Sequence, residues 1–196
     1  MNLTNNSFVC QGMKPVSLLL CCLIYAGTIF CQQTELKQFN KERQRISKSG
    51  LKILTGYSVA NIIYGSIASS NTSIGSAHYF HQMNAIWNGI TLGFLGVGLL
   101  TAKKEGELTC ASTLKKQNNI EKLFLFNAGL DLAYLAGGAY LNERSKIPAN
   151  SYKLSGYGKS IMIQGGMLFI FDAVMYSLHQ HHGKKLLKMA EGISLK

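Results

Sequence analysis

Tyr79-Phe80-His81-Gln82-Met83-Asn84-Ala85-Ile86-Trp87-Asn88 opens an apolar run that continues to Thr101. A helix over this run is long enough to cross a bilayer, which takes about 20 apolar residues. It carries amides and an imidazole where lipid would favour leucine. Polar groups facing hydrocarbon are costly, so these side chains must turn toward other helices. The stretch therefore predicts a bundle with a polar inside.

Working outward, three further runs are long enough to span, at 51–70, 121–142 and 157–179, in addition to 79–101. Their interiors hold no proline, many glycines, and only two charged residues, Asp131 and Asp172. The fold predicted is all-α: a polytopic membrane protein built as a four-helix transmembrane bundle over 51–179. The connectors are 71–78, 102–120 and 143–156, and 180–196 reads as a basic tail with an amphipathic, lipid-surface character. Before the bundle, 34–50 is polar and basic with a thin apolar edge at Leu36, Phe39 and Ile46. It reads as an interfacial helix stopped by Gly50.

The leader, 1–33, has a second plausible start at Met13, a lysine, an apolar stretch from Val16 to Cys31 and then Gln32-Gln33. That is the anatomy of a signal peptide or, since no small-x-small cleavage site precedes Gln32, of a signal anchor. Four of the five cysteines lie in it, leaving Cys110 alone and no intramolecular disulfide framework once it is removed.

Lys+Arg outnumber Asp+Glu by 20 to 9, a formal charge of +11. The cations sit beside the apolar runs, where they set topology or meet anionic lipid; nucleic acid is not expected as a partner. Fifteen fall in 34–52, 102–122 and the tail, against four (Arg144, Lys146, Lys153, Lys159) at the other end. The imbalance puts both bundle ends on the cytoplasmic side, whereas a cleaved leader would export Gln32. The two signals oppose one another.

The spans also resemble each other. Asn61-Ile62-Ile63-Tyr64 in the first matches Asp131-Leu132-Ala133-Tyr134 in the third, and Met83 to Asn88 in the second matches Met167 to Asp172 in the fourth. The bundle thus reads as two parallel-repeat helical hairpins, with Asn in one where the other has Asp. Polar residues recur at three- and four-residue spacings, which makes each stripe face one way. Candidate ligand- or ion-binding residues of the polar core are Asn61, His81, Asn84, Asn88, Asn127, Asp131, Gln164 and Asp172. With about 1.5 Å of rise per residue, Asn61, Asn88 and Asp131 lie near mid-span. Asn127 and Asp172 fall toward the basic end, and His81, Asn84 and Gln164 toward the other. Asp131 is expected to meet Asn61 or Asn88, and Gln164 to meet Asn84 or His81.

No Lys or Arg lies deep in a span to neutralise the two acids. They serve either as neutral hydrogen-bonding glue or as a proton or cation site. No metal or cofactor is expected: His81 and His179 belong to opposite ends, and His181 and His182 sit in the tail. Gly156-Tyr157-Gly158-Lys159-Ser160 lacks the first glycine and the strand of a phosphate loop. No nucleophile stands beside a base, so no catalytic residue is assigned. Trp87, deep in its span, is expected to reach a polar partner with its indole N–H.

Phe80-His81-Gln82-Met83-Asn84 with Trp87-Asn88, Phe126-Asn127-Ala128-Gly129-Leu130-Asp131 with Tyr134 and Gly137-Gly138, Gly156-Tyr157-Gly158, Gln164-Gly165-Gly166 with Phe171-Asp172, and Asn40 with Arg43 together carry a resemblance. The sequence resembles a family of uncharacterised bacterial integral membrane proteins of about this length, from whose pattern it departs at Tyr57, where Trp is usual. The resemblance implies a fold and an inner-membrane, multi-pass location without an activity. The functional expectation is a non-enzymatic membrane protein whose core holds the bundle or binds a small ligand. Its partners would be the lipid bilayer and a second copy or another membrane protein. The other reading is a small proton- or cation-coupled transporter or channel using Asp131 and Asp172.

Overall fold

The structure, a computed structural model, describes residues 15–101, 106, 108–147 and 151–194, with side chains for 33–100, 106, 108–147 and 151–188. Met1 to Lys14, together with Lys103, Lys104 and Lys196 of the charge balance, lies outside the described residues. Four helices and no strand make up the described residues: α1 (Pro15–Asn71), α2 (Ser76–Thr101), α3 (Cys110–Arg144) and α4 (Ser151–Ser194). Thr109 caps α3, its hydroxyl accepting from the Ser112 N–H at 3.3 Å.

Cross-helix contacts give the directions. Asn61 meets Asn84 and Ser69 meets His78, so α1 and α2 run antiparallel. Gly138 faces Gly158 and Met162 while Gln117 reaches His179, so α3 and α4 do the same. Ser76 bonds Ser155 and Gln164 bonds Asn84, which makes α2 and α4 parallel neighbours. Helix α1 lies on α2 through its last turns and descends onto α4 and α3, where Asn40 donates to Thr113 at 2.9 Å. Helix α4 touches all three others.

Three expectations change. Gly50 does not stop a helix: α1 runs unbroken through the end of the leader, 34–50 and the first apolar run. A Cβ at Gly50 would come within 2.5 Å of Met175 Cε, so the glycine is a notch for that side chain. The tail is likewise helical to Ser194, because Leu186 (2% exposed) and His182 (3%) are buried on the bundle. Much of the expected connector at 102–120 is the first turns of α3.

Burial is inverted relative to a water-soluble domain, whose interior is apolar. Among the described residues the buried large apolar side chains are Phe39, Met175 and Leu186, whereas thirteen polar ones are buried. Twenty-eight large apolar side chains, including Phe94 at 75% and Leu100 at 89%, stand exposed. Two segments, Ser76–Leu100 of α2 and Ser151–Lys188 of α4, are long and apolar enough to cross a membrane. The runs at 51–70 and 121–142 lie in helices of sufficient length, but Ser, Asn, Gly and Asp dilute their hydropathy.

Glycine permits the closest approach. At Gly138 a Cβ would lie 2.7 Å from the Gly158 carbonyl oxygen and 2.8 Å from Met162 N, backbone that has no room to yield. Its neighbour Gly137 has nothing within 4 Å. Gly138→Val is expected to destabilise the fold by about 1–3 kcal/mol through overpacking, while Gly137→Val leaves it unchanged. Thermal unfolding followed by circular dichroism compares the two.

Candidate functional site

Helices α1, α2 and α4 converge on an amide layer. Asn84 (4% exposed) donates through Nδ2 to Asn61 Oδ1 at 3.0 Å, and its Oδ1 accepts from Gln164 Nε2. Gln164 Oε1 accepts from the Tyr57 hydroxyl at 3.0 Å. Asn61 Nδ2 donates back to the Tyr57 carbonyl at 2.9 Å, and Asn88 (1% exposed) donates to the Asn84 carbonyl at 2.8 Å. Stripes at three- and four-residue spacing produce this, because one face of each helix holds every partner.

Helices α3 and α4 hold a carboxyl layer. Asp131 and Asp172, both buried, lie within hydrogen-bonding reach of one another. Asp131 therefore meets an acid rather than Asn61 or Asn88, whose amides donate to the Tyr57 and Asn84 carbonyls of their own helices. Gly165, whose Cβ would lie 3.1 Å from the Asp131 carbonyl oxygen, lets α3 ride close enough on α4 for the pairing. A hydrogen bond between two carboxyl groups requires that one carry the proton. No N–H or O–H among the described residues donates to Asp131 Oδ2. Above this layer, Trp87 of α2 stands edge-on to the Tyr134 ring of α3, with centroids 4.8 Å apart.

His81 is half-buried at the rim, edge-on to Tyr64 at 5.4 Å, and its Nδ1 has no hydrogen-bond partner among the described residues. Asn127 is half-buried, one helical turn from Asp131. The structure joins neither of these two to the network. The Ser58 and Ser160 hydroxyls are buried with no hydrogen-bond partner among the described residues.

A third layer, at the basic end, was not among the expected sites. His179 (0% exposed), His182 (3%), Arg43 (1%), Gln117 (1%) and Thr113 (0%) are packed together there with Asn40. Gln117 Nε2 donates to the His179 carbonyl at 2.6 Å, and Ser47 Oγ lies 3.3 Å from His179 Nε2. The His182 ring stacks on Phe39 at 4.0 Å. Its Nε2 lies 3.0 Å from the Phe39 carbonyl, an acceptor only, which fixes the proton on Nε2 and leaves Nδ1 facing Glu42 at 3.6 Å. A sequence signal existed: Asn40/Arg43, Thr113/Gln117 and His179/His182 are three- and four-residue pairs, each on one helix face. Assigning 180–196 to a lipid-surface tail hid the His182 half of it. Among the described residues no three His, Cys, Asp or Glu side chains gather as metal ligands.

Residues 53–173 match a family model described as a family of unknown function, DUF6992. The chain belongs to that family. No curated protein and no solved structure matches it. The DUF6992 region contains the whole amide and carboxyl layers. Of the basic-end layer it includes Thr113 and Gln117 but not Asn40, Arg43, His179 or His182.

Two measurements follow. Asn84→Leu strands the Gln164 donor and the Asn61 acceptor and should cost about 1–3 kcal/mol. Adding Gln164→Leu should cost less than the two single changes together, the non-additivity expected of bonded partners in an unfolding double-mutant cycle. At the basic end, burial holds the His182 imidazole below its ordinary value, with the Phe39 carbonyl and Glu42 opposing and Lys185 and Arg43 reinforcing. Lys185, bonded at 3.2 Å, holds the Glu42 carboxyl below the usual carboxylate range, so Glu42 stays ionised into more acid solution. A depressed histidine contributes stability in full above its unfolded value, about 6.5, and loses it as pH falls below that toward its folded value. Amide exchange across 180–188, corrected for intrinsic rate, should therefore speed up between pH 7 and pH 5. His182→Phe should weaken that dependence.

Proposed function

We propose that the chain is a multi-pass integral membrane protein of the bacterial inner membrane, with all four helices crossing the bilayer and no enzymatic role. Its polar interior holds the helices together and binds a small ligand. The inverted burial carries this reading: thirteen buried polar side chains against three large apolar ones, with twenty-eight large apolar side chains outside, suit hydrocarbon as solvent and not water. In that solvent α1 and α3 need less apolar character than α2 and α4, because their Asn, Ser and Asp point inward.

One observation favours a proton, or a small cation, as the ligand. Asp131 and Asp172 interact with one another across α3 and α4, with no basic side chain between them. A carboxyl pair that shares one proton carries a single negative charge, which a second proton or a monovalent cation neutralises in low dielectric. Ion passage through so small a bundle would be built from a homo-oligomer or with a membrane-protein partner.

The test has two stages. Resistance to alkaline carbonate extraction checks the membrane assignment; release with the peripheral fraction rejects it. In reconstituted protein, infrared difference spectra over pH should show a protonated-carboxyl band that Asp131→Asn and Asp172→Asn each abolish, and a pH gradient should drive proton uptake lost in the same variants. A pair whose band never changes with pH, and whose Asn variants lose only stability, is structural glue.

A further inference from the structure

We propose that the basic end of the bundle is a binding collar for the phosphate headgroups of anionic phospholipids. The inference rests on the bilayer reading above and adds a partner to it. Helices α1, α3 and α4 all continue past the apolar belt at this end, and Lys48, Lys52, Lys122 and Lys184 on them are exposed. At 1.5 Å of rise per residue, all four stand within about 8 Å of the ends of the spans, inside one screening length.

The unpartnered cations are more numerous at the basic end. At the far end Lys146 is bonded to Glu143 at 2.8 Å and Lys153 lies over the Tyr157 ring at 5.6 Å, which leaves Arg144 and Lys159 without an ion pair among the described residues. Among the described residues none of the four collar lysines has an ion pair, hydrogen bond or ring contact; of the acids at this end, Glu121, next to Lys122 in sequence and packed against Gly183, accepts from Gln117 at 2.8 Å, and Glu42 is taken by Lys185. Four unspent positive charges beside a low-dielectric belt attract phosphate more strongly than the same charges in open water.

The surroundings favour a lipid over other phosphate carriers. One helical turn inward from Lys122, on the same face, stand Leu125 (57% exposed) and Phe126 (65%). From Lys52 the same walk passes Gly56, with nothing within 4 Å of its Cα substituent position, and reaches Val59 at 41%. A cation with an apolar track running inward from it matches a headgroup with its acyl chain. A nucleic acid would leave that track unused.

The full chain is reconstituted into phosphatidylcholine vesicles carrying either spin-labelled phosphatidylglycerol or spin-labelled phosphatidylcholine, and the motionally restricted fraction of each is compared. Phosphatidylglycerol should be preferred by about fivefold or more, the preference should shrink with salt, and Lys48→Gln/Lys52→Gln/Lys122→Gln/Lys184→Gln should bring it close to one. These lysines are exposed, so the variant keeps its fold, checked by circular dichroism. Equal restriction of the two lipids overturns the collar, as does a preference unchanged in the quadruple variant. Salt-sensitive binding of an oligonucleotide without lipid preference overturns it in favour of nucleic acid. Failure of the protein to float with pure phosphatidylcholine vesicles would be a different result, since it overturns the bilayer reading itself.

Discussion

A buried primary amide offers two donor hydrogens and an acceptor oxygen, and each must find a partner or cost about 1–3 kcal/mol. At Asn84 those partners are on different helices: Asn61 of α1 and Gln164 of α4. A one-residue slip of any of the three helices would turn its amide by about 100° away from the others. The node therefore sets the register of the bundle in a way that apolar packing, which tolerates sliding, does not. Glycine completes the arrangement by letting backbones approach, Gly65 against the His81 carbonyl and Ala85, and Gly138 against Gly158.

Helix α4 ties the layers together. Its buried face presents Ser160, Gln164, Asp172, His179 and His182 in succession, so amide, carboxyl and imidazole chemistry lie along one line. The line is interrupted between Asp172 and His179 by Met175, seated on Gly50 of α1. Met175, 4% exposed, fills the notch at Gly50, so an apolar side chain separates the acids from the imidazoles along α4.

What could be read from residues alone was whatever periodicity controls. The apolar runs at 79–101 and 157–179 fall inside α2 and α4, and the stripe of Asn84, Asn88 and Gln164 faces inward as its spacing requires. Pairing across helices was harder. The internal repeat aligns Asp131 with Asn61 and Asp172 with Asn88, yet it says nothing of which stripe faces which, and the two acids found each other. Helix ends were hardest, because single residues have more than one use. Gly50 resembles a stop, but packing on Met175 makes it a notch, and the histidines at 179 and 182 resemble a tail until Phe39 and Phe124 are placed beneath their rings.

The 57 residues of α1 form one uninterrupted rod about 85 Å long. It is held on both sides of Gly50, by Asn40 on Thr113 and Ser47 beside His179 toward Pro15 and by Asn61 on Asn84 toward Asn71. A single rigid helix thus ties the amide node to the imidazole layer, and neither can shift along α1 without the other.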